Sequence, residues 1–169
     1  MALLEIKKYG DKILESPTEE VDVIDKEIQK TIDDMLETMY AASGLGLAAN
    51  QVGIPLSITV IDLYEDKNSK ALVLINPKII YERGKIIEEE GCLSFPKIYT
   101  LVERPKNLTV EAINIKGELI RIEAKDLLAR VISHECDHLK GILFINKINQ
   151  IKRAMIIKQI SKRIKQGEW

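Results

Sequence analysis

The stretch SHECDHLKG, residues 133–141, contains both histidines of this 169-residue chain, His134 and His138. Apolar residues precede it at helical spacing, among them Leu127 and Val131, and its closing glycine stands where a helix would end. Residues four apart lie on the same face of a helix, so the two imidazoles can reach one point. The stretch therefore predicts a helix that carries two metal-ligand candidates at the edge of the apolar core.

The two histidines and the intervening Glu135 form an H-E-x-x-H pattern, with the acid on the neighbouring face of the helix. A histidine on an apolar face is more often a hydrogen-bonded core residue, and that alternative stays open here. Placing both histidines of the chain at ligand spacing, with a glutamate directly after the first, favours a metal site. A catalytic ion normally takes three protein ligands and leaves a position for water, yet the chain has no third histidine.

The third ligand must then be a cysteine or a carboxylate. Cys136 and Asp137 lie between the histidines, but their side chains point to other sides of the helix. Cys92 in EEEGCLSFP, residues 88–96, is the better candidate, because it offers a thiolate and Gly91 permits an unusual backbone before it. For an isolated cysteine the alternative is a small buried apolar residue.

The composition, 46% hydrophobic and 30% charged, is ordinary for a soluble globular protein, and the length suits one domain over residues 1–169. Glu5, Lys7 and Lys8 interrupt a very short N-terminal apolar run, which argues against a secretion signal, and no later segment resembles a membrane span. We therefore expect a cytoplasmic protein with no membrane partner, whose two cysteines are free thiols or metal ligands.

Helical and β-type patterns occur along the chain without strict alternation, and the predicted fold class is α+β. We expect antiparallel or mixed β-sheets packed around the histidine helix, with one helix before them and one after. The first helix is predicted between Asp25 and Ser43, with Asp25 as its N-cap. The segments between are a glycine-punctuated loop (44–55), two strands (57–63 and 71–80) and a hairpin with a Lys-Gly turn (108–124).

The C-terminal segment, residues 147–169, is predicted to be a basic helix. It carries seven basic residues and one acid, whereas the whole chain has 25 basic and 26 acidic residues. One face should pack on the rest of the protein through an apolar stripe, which consists of Ile148, Ile151, Met155, Ile156, Ile160 and Ile164. The basic face opposite is most simply a solvated surface.

Three segments, GLGLAANQ (44–51), EGCLS (90–94) and HECDH (134–138), together resemble the three signature motifs of bacterial-type peptide deformylases in order, spacing and content. The resemblance covers essentially the whole chain. Asn50, where the family often has proline, and Ser133, where it often has glutamine, depart from the pattern at positions that carry no chemistry. The resemblance implies an enzyme that removes the formyl group from the N-terminal methionine of new polypeptides.

By this resemblance, one divalent ion is held by three ligands, which are Cys92, His134 and His138. The ion would be Fe²⁺ in the cell, with Zn²⁺, Ni²⁺ or Co²⁺ as replacements. Water activated by the ion would attack the formyl carbon while Glu135 accepts the proton and returns it to the leaving amine. The side-chain amide of Gln51 and the backbone N–H of Leu93 would stabilise the oxyanion, and formate would be released.

The implied substrate is an extended formylmethionyl peptide, which should bind along a strand edge and place its methionine side chain in an apolar pocket. Leu45 and Gly46 are candidates for the pocket wall and for backbone contacts. Leu127 and Val131 are candidates for the pocket floor, and ordinary core positions are the alternative for both.

Three charged residues near the motifs, Glu90, Arg104 and Asp137, are candidates for ion pairs that hold the histidine helix against the Cys92 segment. The sequence leaves open which of them pair. The resemblance also implies a partner for the basic C-terminal helix, since bacterial deformylases use this helix to dock near the ribosomal exit tunnel. No sequence-specific nucleic-acid binding is expected.

Two other functions account for part of the pattern. A zinc protease shares H-E-x-x-H, but it requires a histidine or glutamate ligand further along the chain and leaves the other two motifs unexplained. A structural metal site in a nucleic-acid-binding protein, suggested by the basic tail, requires four ligands and leaves Glu135 and Gln51 without a role. An inactive deformylase homologue is disfavoured, because every residue with an expected chemical role is present.

Overall fold

The computed structural model describes residues 2–64 and 70–169. It shows an α+β protein, as predicted, with one five-stranded antiparallel sheet of order β1-β2-β3-β4-β5. The strands are β1 (Gly46–Ala48), β2 (Ile58–Ile61), β3 (Leu72–Cys92), β4 (Phe95–Ile113) and β5 (Leu119–Lys125). The helices are α1 (Lys26–Ala41), α2 (Asp126–Leu139) and α3 (Gln150–Lys165). No helix within the described ranges is long and apolar enough to cross a membrane.

The helix predicted near the N-terminus is confirmed by α1. The side chain of Asp25 accepts hydrogen bonds from the backbone N–H groups of Glu27 and Ile28, both at 2.9 Å. These bonds satisfy two of the donors that the first turn of a helix leaves without an intrahelical partner. The buried face of α1 carries Met35 and Met39 and packs against β1 and β2.

The strands β3 and β4 form one long hairpin, and its far half is a two-stranded arm. β2 pairs with β3 only between Leu72 and Ile75, and β5 joins β4 only from Asn107 onward. The pairing of β3 with β4 continues beyond both to Cys92, and the irregularities along it bend the hairpin. Cys92 therefore lies at the tip of an arm whose outer edges pair with no other strand in the described residues.

Two predictions about the middle of the chain are wrong in part. The segment 44–55, predicted as a loop, contains β1 and a 3₁₀ turn over Ala49–Val52. β1 forms because its backbone pairs with β2, a partner that local sequence does not reveal. The predicted strand 71–80 is only the first part of β3, because Asn76 and Pro77 lie in a bulge and do not end the strand.

The hairpin predicted at 108–124 is confirmed by β4 and β5. Ile113 pairs with Leu119, and the backbone N–H of Gly117 donates to the carbonyl of Asn114 at 2.9 Å. Gly117 has a φ of +81°, in the left-handed region that favours glycine. The Lys-Gly signal thus marked the position of the turn.

The helix that carries the histidines, α2, lies at the centre of the fold. It contacts all five strands, and its residues from Ile132 to Leu139 are buried. Its apolar face includes Ala129 and Cys136, which pack in one cluster with Val110 of β4. The structure therefore agrees with the expected central position of this helix.

The apolar stripe predicted for α3 is wrong in part. Ile156 and Ile160 are buried against the first part of β4. In contrast, Ile151, Met155 and Ile164 are 76%, 66% and 55% exposed. Successive residues advance about 100° around a helix, so Ile151 and Met155 lie away from the face that carries Ile156 and Ile160. Ile164 follows Ile160 by one turn on that face, but it lies next to the end of α3 at Lys165. A surface helix buries only the part of its apolar face that another element covers.

Candidate metal centre and active-site cleft

Three side chains from two distant parts of the chain meet at one point. Cys92 is the last residue of β3, and His134 and His138 lie one turn apart on α2. The Sγ of Cys92 is 3.3 Å from Nε2 of His138, which is 3.1 Å from Nε2 of His134. All three ligand atoms lie within 4.8 Å of one another. The fold thus brings together the three residues that the sequence suggested as ligands.

The spacing of these atoms suits a tetrahedral ion. With metal–nitrogen bonds of about 2.0–2.1 Å and metal–sulfur bonds of about 2.3 Å, tetrahedral ligand atoms lie roughly 3.4–3.6 Å apart. The observed separations of 3.1 and 3.3 Å require only small side-chain shifts to reach that spacing. Two imidazoles and a thiolate are ligands that several divalent transition metals accept. The residues present therefore fit one such ion, with a fourth position left for water or substrate.

A buried network of charges joins the arm to α2. It shows how the three charged residues near the motifs pair. Arg104, 2% exposed, donates to both carboxylate oxygens of Glu90 at 2.8 and 3.1 Å, and also to Asp137. Glu90 also accepts a hydrogen bond from Nδ1 of His134 at 3.0 Å, and this bond turns Nε2 of the same ring toward the metal site. Because the partners come from β3, β4 and α2, the network fixes these three elements relative to one another.

The network also determines where protons lie in the ion-free site. Burial alone would raise the pKa of Glu90, but hydrogen bonds from His134 and Arg104 outweigh it and lower that pKa to about 2. Burial opposes protonation of His134, yet Cys92 and Glu90 raise its pKa to about 10. Burial, together with the charge of His134, holds the pKa of His138 well below its usual value. An incoming ion must therefore displace a proton from His134 and none from His138.

Glu135 lies in the same site but in different surroundings. It is 4% exposed, and its Oε2 is buried without a hydrogen-bond partner among the described residues. Burial raises the pKa of this carboxyl to about 7. Gly46 on β1 makes room for it, since a Cβ at that position would lie 2.6 Å from Oε1 of Glu135. A carboxyl with a pKa near neutrality is able both to accept and to return a proton.

Gln51 lies on the 3₁₀ turn after β1, and both ends of its amide group are held. Its Oε1 accepts the backbone N–H of Ala48 at 2.9 Å, and its Nε2 donates to Oγ of Ser94 at 3.2 Å. The same nitrogen is 3.5 Å from Sγ of Cys92. Leu93, the residue after Cys92, lines the same cleft. The amide donor therefore lies directly beside the candidate ligands.

A cleft of about 630 Å³ opens beside the metal centre. It is bordered by the edge of β1 at Gly46 and the edge of β3 at Gly91, and neither edge is paired there with a further strand of the described chain. The residues suggested by the sequence that line it are Leu45, Gly46, Gln51, Cys92, Leu93, Leu127, Val131, His134 and Glu135. His138 lies behind them and is 1% exposed. The cleft has the form of a site for an extended peptide between two strand edges.

Sequence reasoning missed Tyr99 and Arg130, which also line the cleft. The ring of Tyr99 lies over Gly91, where a Cβ would be 2.6 Å from the ring. Arg130 donates to the backbone carbonyl of Glu89 at 2.8 Å. Its position four residues before His134, on the same helix face, was an available signal. Tyr99 could be found only from the register that pairs it with Gly91.

The second thiol of the chain lies outside the metal centre. Cys136 is 3% exposed and packs in the cluster between α2 and the sheet. Burial raises the pKa of its thiol to about 12, so the group stays protonated at neutral pH. Although Cys136 stands between the two histidines in sequence, its environment is that of an apolar core residue.

Comparison with known proteins agrees with this geometry. A profile of the polypeptide deformylase family matches residues 3–154. A peptide deformylase from Acidobacterium capsulatum is 44% identical over 170 residues, and the match covers 100% of both chains. The chain belongs to the polypeptide deformylase family. It is therefore an enzyme, a hydrolase of the deformylase class, in a family that depends on a metal ion.

Solved deformylase structures have the same fold as this deformylase. A crystal structure of a peptide deformylase from Legionella pneumophila has a TM-score of 0.92 and 37% identity, with 98% of each chain covered. A peptide deformylase from Synechococcus elongatus, solved in complex with actinonin, has a TM-score of 0.89 and 43% identity. That comparison covers 94% of this chain and 88% of the other. The α+β arrangement around α2 is thus the fold of the family.

Proposed function

We propose that this deformylase removes the N-formyl group from the formylmethionine that begins newly made polypeptides and releases formate. The observation that carries the proposal is the buried carboxyl of Glu135, without a partner at Oε2, beside the three candidate ligands. A site that only holds an ion has no use for such a group, because burying an unpaired carboxyl destabilises the fold. A hydrolase requires it as a proton acceptor.

The proposed ligands of one divalent ion are Cys92, His134 and His138. The proposed ion is Fe²⁺, with Zn²⁺, Ni²⁺ and Co²⁺ as replacements, since all accept imidazole and thiolate ligands. When bound, such an ion lowers the pKa of a water ligand and polarises the formyl oxygen. Glu90 supports binding because its hydrogen bond with Nδ1 of His134 leaves Nε2 available as a ligand.

Glu135 is proposed to move the proton. Its pKa of about 7 allows the carboxylate to take a proton from the attacking water and to return it to the departing amine. The absence of a side chain at Gly46 leaves the space that this carboxyl occupies. Formate leaves from one side of the broken bond, and the peptide keeps a free amine.

Gln51 and Leu93 are proposed to stabilise the negative charge that develops on the formyl oxygen. The Gln51 amide is held through Ala48, so its Nε2 donor stays beside Cys92. The backbone N–H of Leu93 follows Cys92 directly in the chain. Donors that are fixed before the reaction stabilise developing charge without having to reorganise.

The peptide is proposed to bind in extended form between the edges of β1 and β3. Gly46 and Gly91 lie on these edges and line the cleft, where a bound backbone can complete the hydrogen bonding of both strands. Leu45, Leu127 and Val131 are proposed to contact the methionine side chain. Leu45 and Leu127 are 36% and 41% exposed, which suits the wall of an open pocket and not a core.

The chain is proposed to act as a single domain over residues 1–169, in the cytoplasm and near the ribosome. Lys158 and Lys165 lie on α3 opposite its buried face, and neither forms an ion pair in the part of the chain that the structure describes. A positive surface of this kind can contact the RNA of the exit tunnel, and such an interaction weakens as salt rises. Ribosome pelleting at 50 and 300 mM salt, with Lys158→Glu/Lys165→Glu as the comparison variant, tests this point.

The central experiment uses anaerobically prepared protein loaded with Fe²⁺. Incubation with formyl-Met-Ala-Ser should release stoichiometric formate and a free amine, whereas acetyl-Met-Ala-Ser should remain intact. Mass spectrometry of the products separates this from a zinc protease, which would cleave an internal peptide bond. Internal cleavage, or no formate from fully loaded protein, contradicts the proposal.

A further inference from the structure

A second groove lies between β4 and α3, on the side of the arm away from β3. Its volume is about 820 Å³. One wall is formed by Tyr99 and Thr100 of β4, and the other by residues of α3 that include Lys152, Met155 and Lys162. We call it the α3 groove. The proposed reaction uses none of its α3 residues.

The α3 groove adjoins the active-site cleft at Tyr99. Tyr99 lines both, and its ring lies over Gly91 at the edge of the cleft. The ring is 65% exposed, so one of its surfaces remains available to a bound molecule. A chain that leaves the cleft beside Gly91 therefore meets Tyr99 and then the α3 groove.

The β4 wall of the groove offers a strand edge. Tyr99 and Thr100 pair with Gly91 and Glu90 of β3 on one side. On the other side β5 begins to pair only at Asn107, so this part of β4 has no neighbouring strand there within the described residues. An edge of this kind binds extended peptides through backbone hydrogen bonds.

The α3 wall of the groove is both basic and apolar. Lys152, Met155, Gln159 and Lys162 follow the spacing of a single helix face. Met155 is 66% exposed, and neither lysine forms an ion pair in residues 2–64 and 70–169. This surface complements a segment that carries acidic and apolar side chains.

We propose that the α3 groove binds the later residues of the formylated peptide and favours acidic side chains among them. The proposal rests on the deformylase activity proposed above and adds a second subsite to it. Neighbouring strands lie about 4.8 Å apart and an extended peptide advances about 3.3 Å per residue. A peptide on the free edge of β3 is about three strand spacings, or about 14 Å, from a position on the far edge of β4, so four to five residues beyond the one at Gly91 are enough to reach it. Peptide is favoured over RNA because the groove combines a strand edge with apolar side chains and adjoins the cleft.

The test compares three substrates of the iron-loaded enzyme. These are formyl-Met-Ala-Ser, the octapeptide formyl-Met-Ala-Ser-Ala-Asp-Ala-Glu-Ala, and its counterpart with Asn and Gln in place of the acids. The acidic octapeptide should have a kcat/KM roughly three- to tenfold above that of the amide octapeptide at 50 mM salt, mainly through KM. The difference should shrink at 500 mM salt, because salt screens exposed charges. Equal values for the two octapeptides in the wild type overturn the proposal.

The variant Lys152→Glu/Lys162→Glu should remove or reverse the preference while turnover of formyl-Met-Ala-Ser stays unchanged. Lys26→Glu/Lys116→Glu is the matched control, since it makes the same change of four charge units at two exposed positions elsewhere, and it should keep the preference. Circular dichroism checks that all variants are folded. A preference that survives the double substitution overturns the proposal, and so does protection of the strand edge at Tyr99 and Thr100 by an RNA oligonucleotide but not by the acidic peptide. If the iron-loaded enzyme does not deformylate formyl-Met-Ala-Ser, so that no formate is released, this result would instead contradict the proposed function.

Discussion

Two buried carboxyls lie beside the histidines of α2, and they differ in whether they have hydrogen-bond partners. Glu90 is 8% exposed and bonded to Arg104 and His134, which lower its pKa to about 2. Glu135 is 4% exposed, has no partner at Oε2 in the described chain, and has a pKa raised to about 7. The paired acid remains charged and holds β3, β4 and α2 together. The unpaired one is ready to exchange a proton, at a cost to stability.

The largest expected effect is on the unpaired acid. Glu135→Ala should reduce kcat/KM by about 10²–10⁴-fold, because the site loses its proton acceptor and donor. Metal content should stay at the wild-type level, since the three ligand side chains are unchanged. Formate release and metal analysis of the same sample measure both. Glu123→Ala, an exposed acid on β5, is the control, and loss of metal from the Glu135 variant would make Glu135 a ligand instead.

The next effect is on the paired acid. Glu90→Gln should weaken metal binding by about 10–100-fold, because His134 loses the carboxylate that orients its ring. It should also destabilise the protein by about 3 kcal/mol, since Arg104 is left buried with one charged partner fewer. Metal titration and urea unfolding measure the two effects. Wild-type affinity in this variant would show that Glu90 has no part in positioning His134.

The pH dependence of the ion-free protein should separate the two acids. Glu135 has a folded-state pKa above its unfolded value of 4.5, so its favourable contribution is complete below pH 4.5 and is lost as pH rises to about 7. Glu90 has the reverse dependence, and its contribution is lost as pH falls from 4.5 toward about 2. Ion-free Glu135→Gln should therefore be more stable than wild type at pH 8, by up to about 3 kcal/mol, and the gap should close near pH 4.5. Thermal unfolding at pH 5 and pH 8 measures it, and a gap of equal size at both values would contradict the prediction.

The smallest effect should come from an exposed ion pair on the same arm. Nζ of Lys85 is 2.8 Å from Oε1 of Glu103, and the two side chains are 75% and 48% exposed. Glu103→Gln should leave the midpoint of thermal unfolding unchanged within error, because exposed pairs contribute little. Its metal affinity should also equal that of the wild type. A clear decrease in the unfolding midpoint or in metal affinity would show that any charge on the arm contributes to them. The effect of Glu90→Gln could then not be assigned to the burial and pairing of Glu90.

Local patterns were sufficient for elements whose signals lie within a few residues. The capped start of α1 at Asp25, the hairpin turn at Gly117 and the helical placement of His134 and His138 follow from such signals, and the structure confirms them. They were not sufficient for β1, which exists because β2 pairs with it. The exposed Ile151 of α3 shows the same limit, since helical periodicity describes an apolar face but not how much of it finds a partner.

The sequence by itself determined the chemistry of the site: an H-E-x-x-H helix, a thiolate candidate at Cys92 and an amide at Gln51, because metal ligation and proton transfer require those residue types. Only the tertiary structure decided how charges are shared around them. Arg104 could in principle pair with either nearby acid, and the fold gives it both Glu90 and Asp137 while leaving Glu135 without a partner at Oε2 in the described residues. Pairing depends on which strands and helices meet, and residues far apart in the chain meet only after folding.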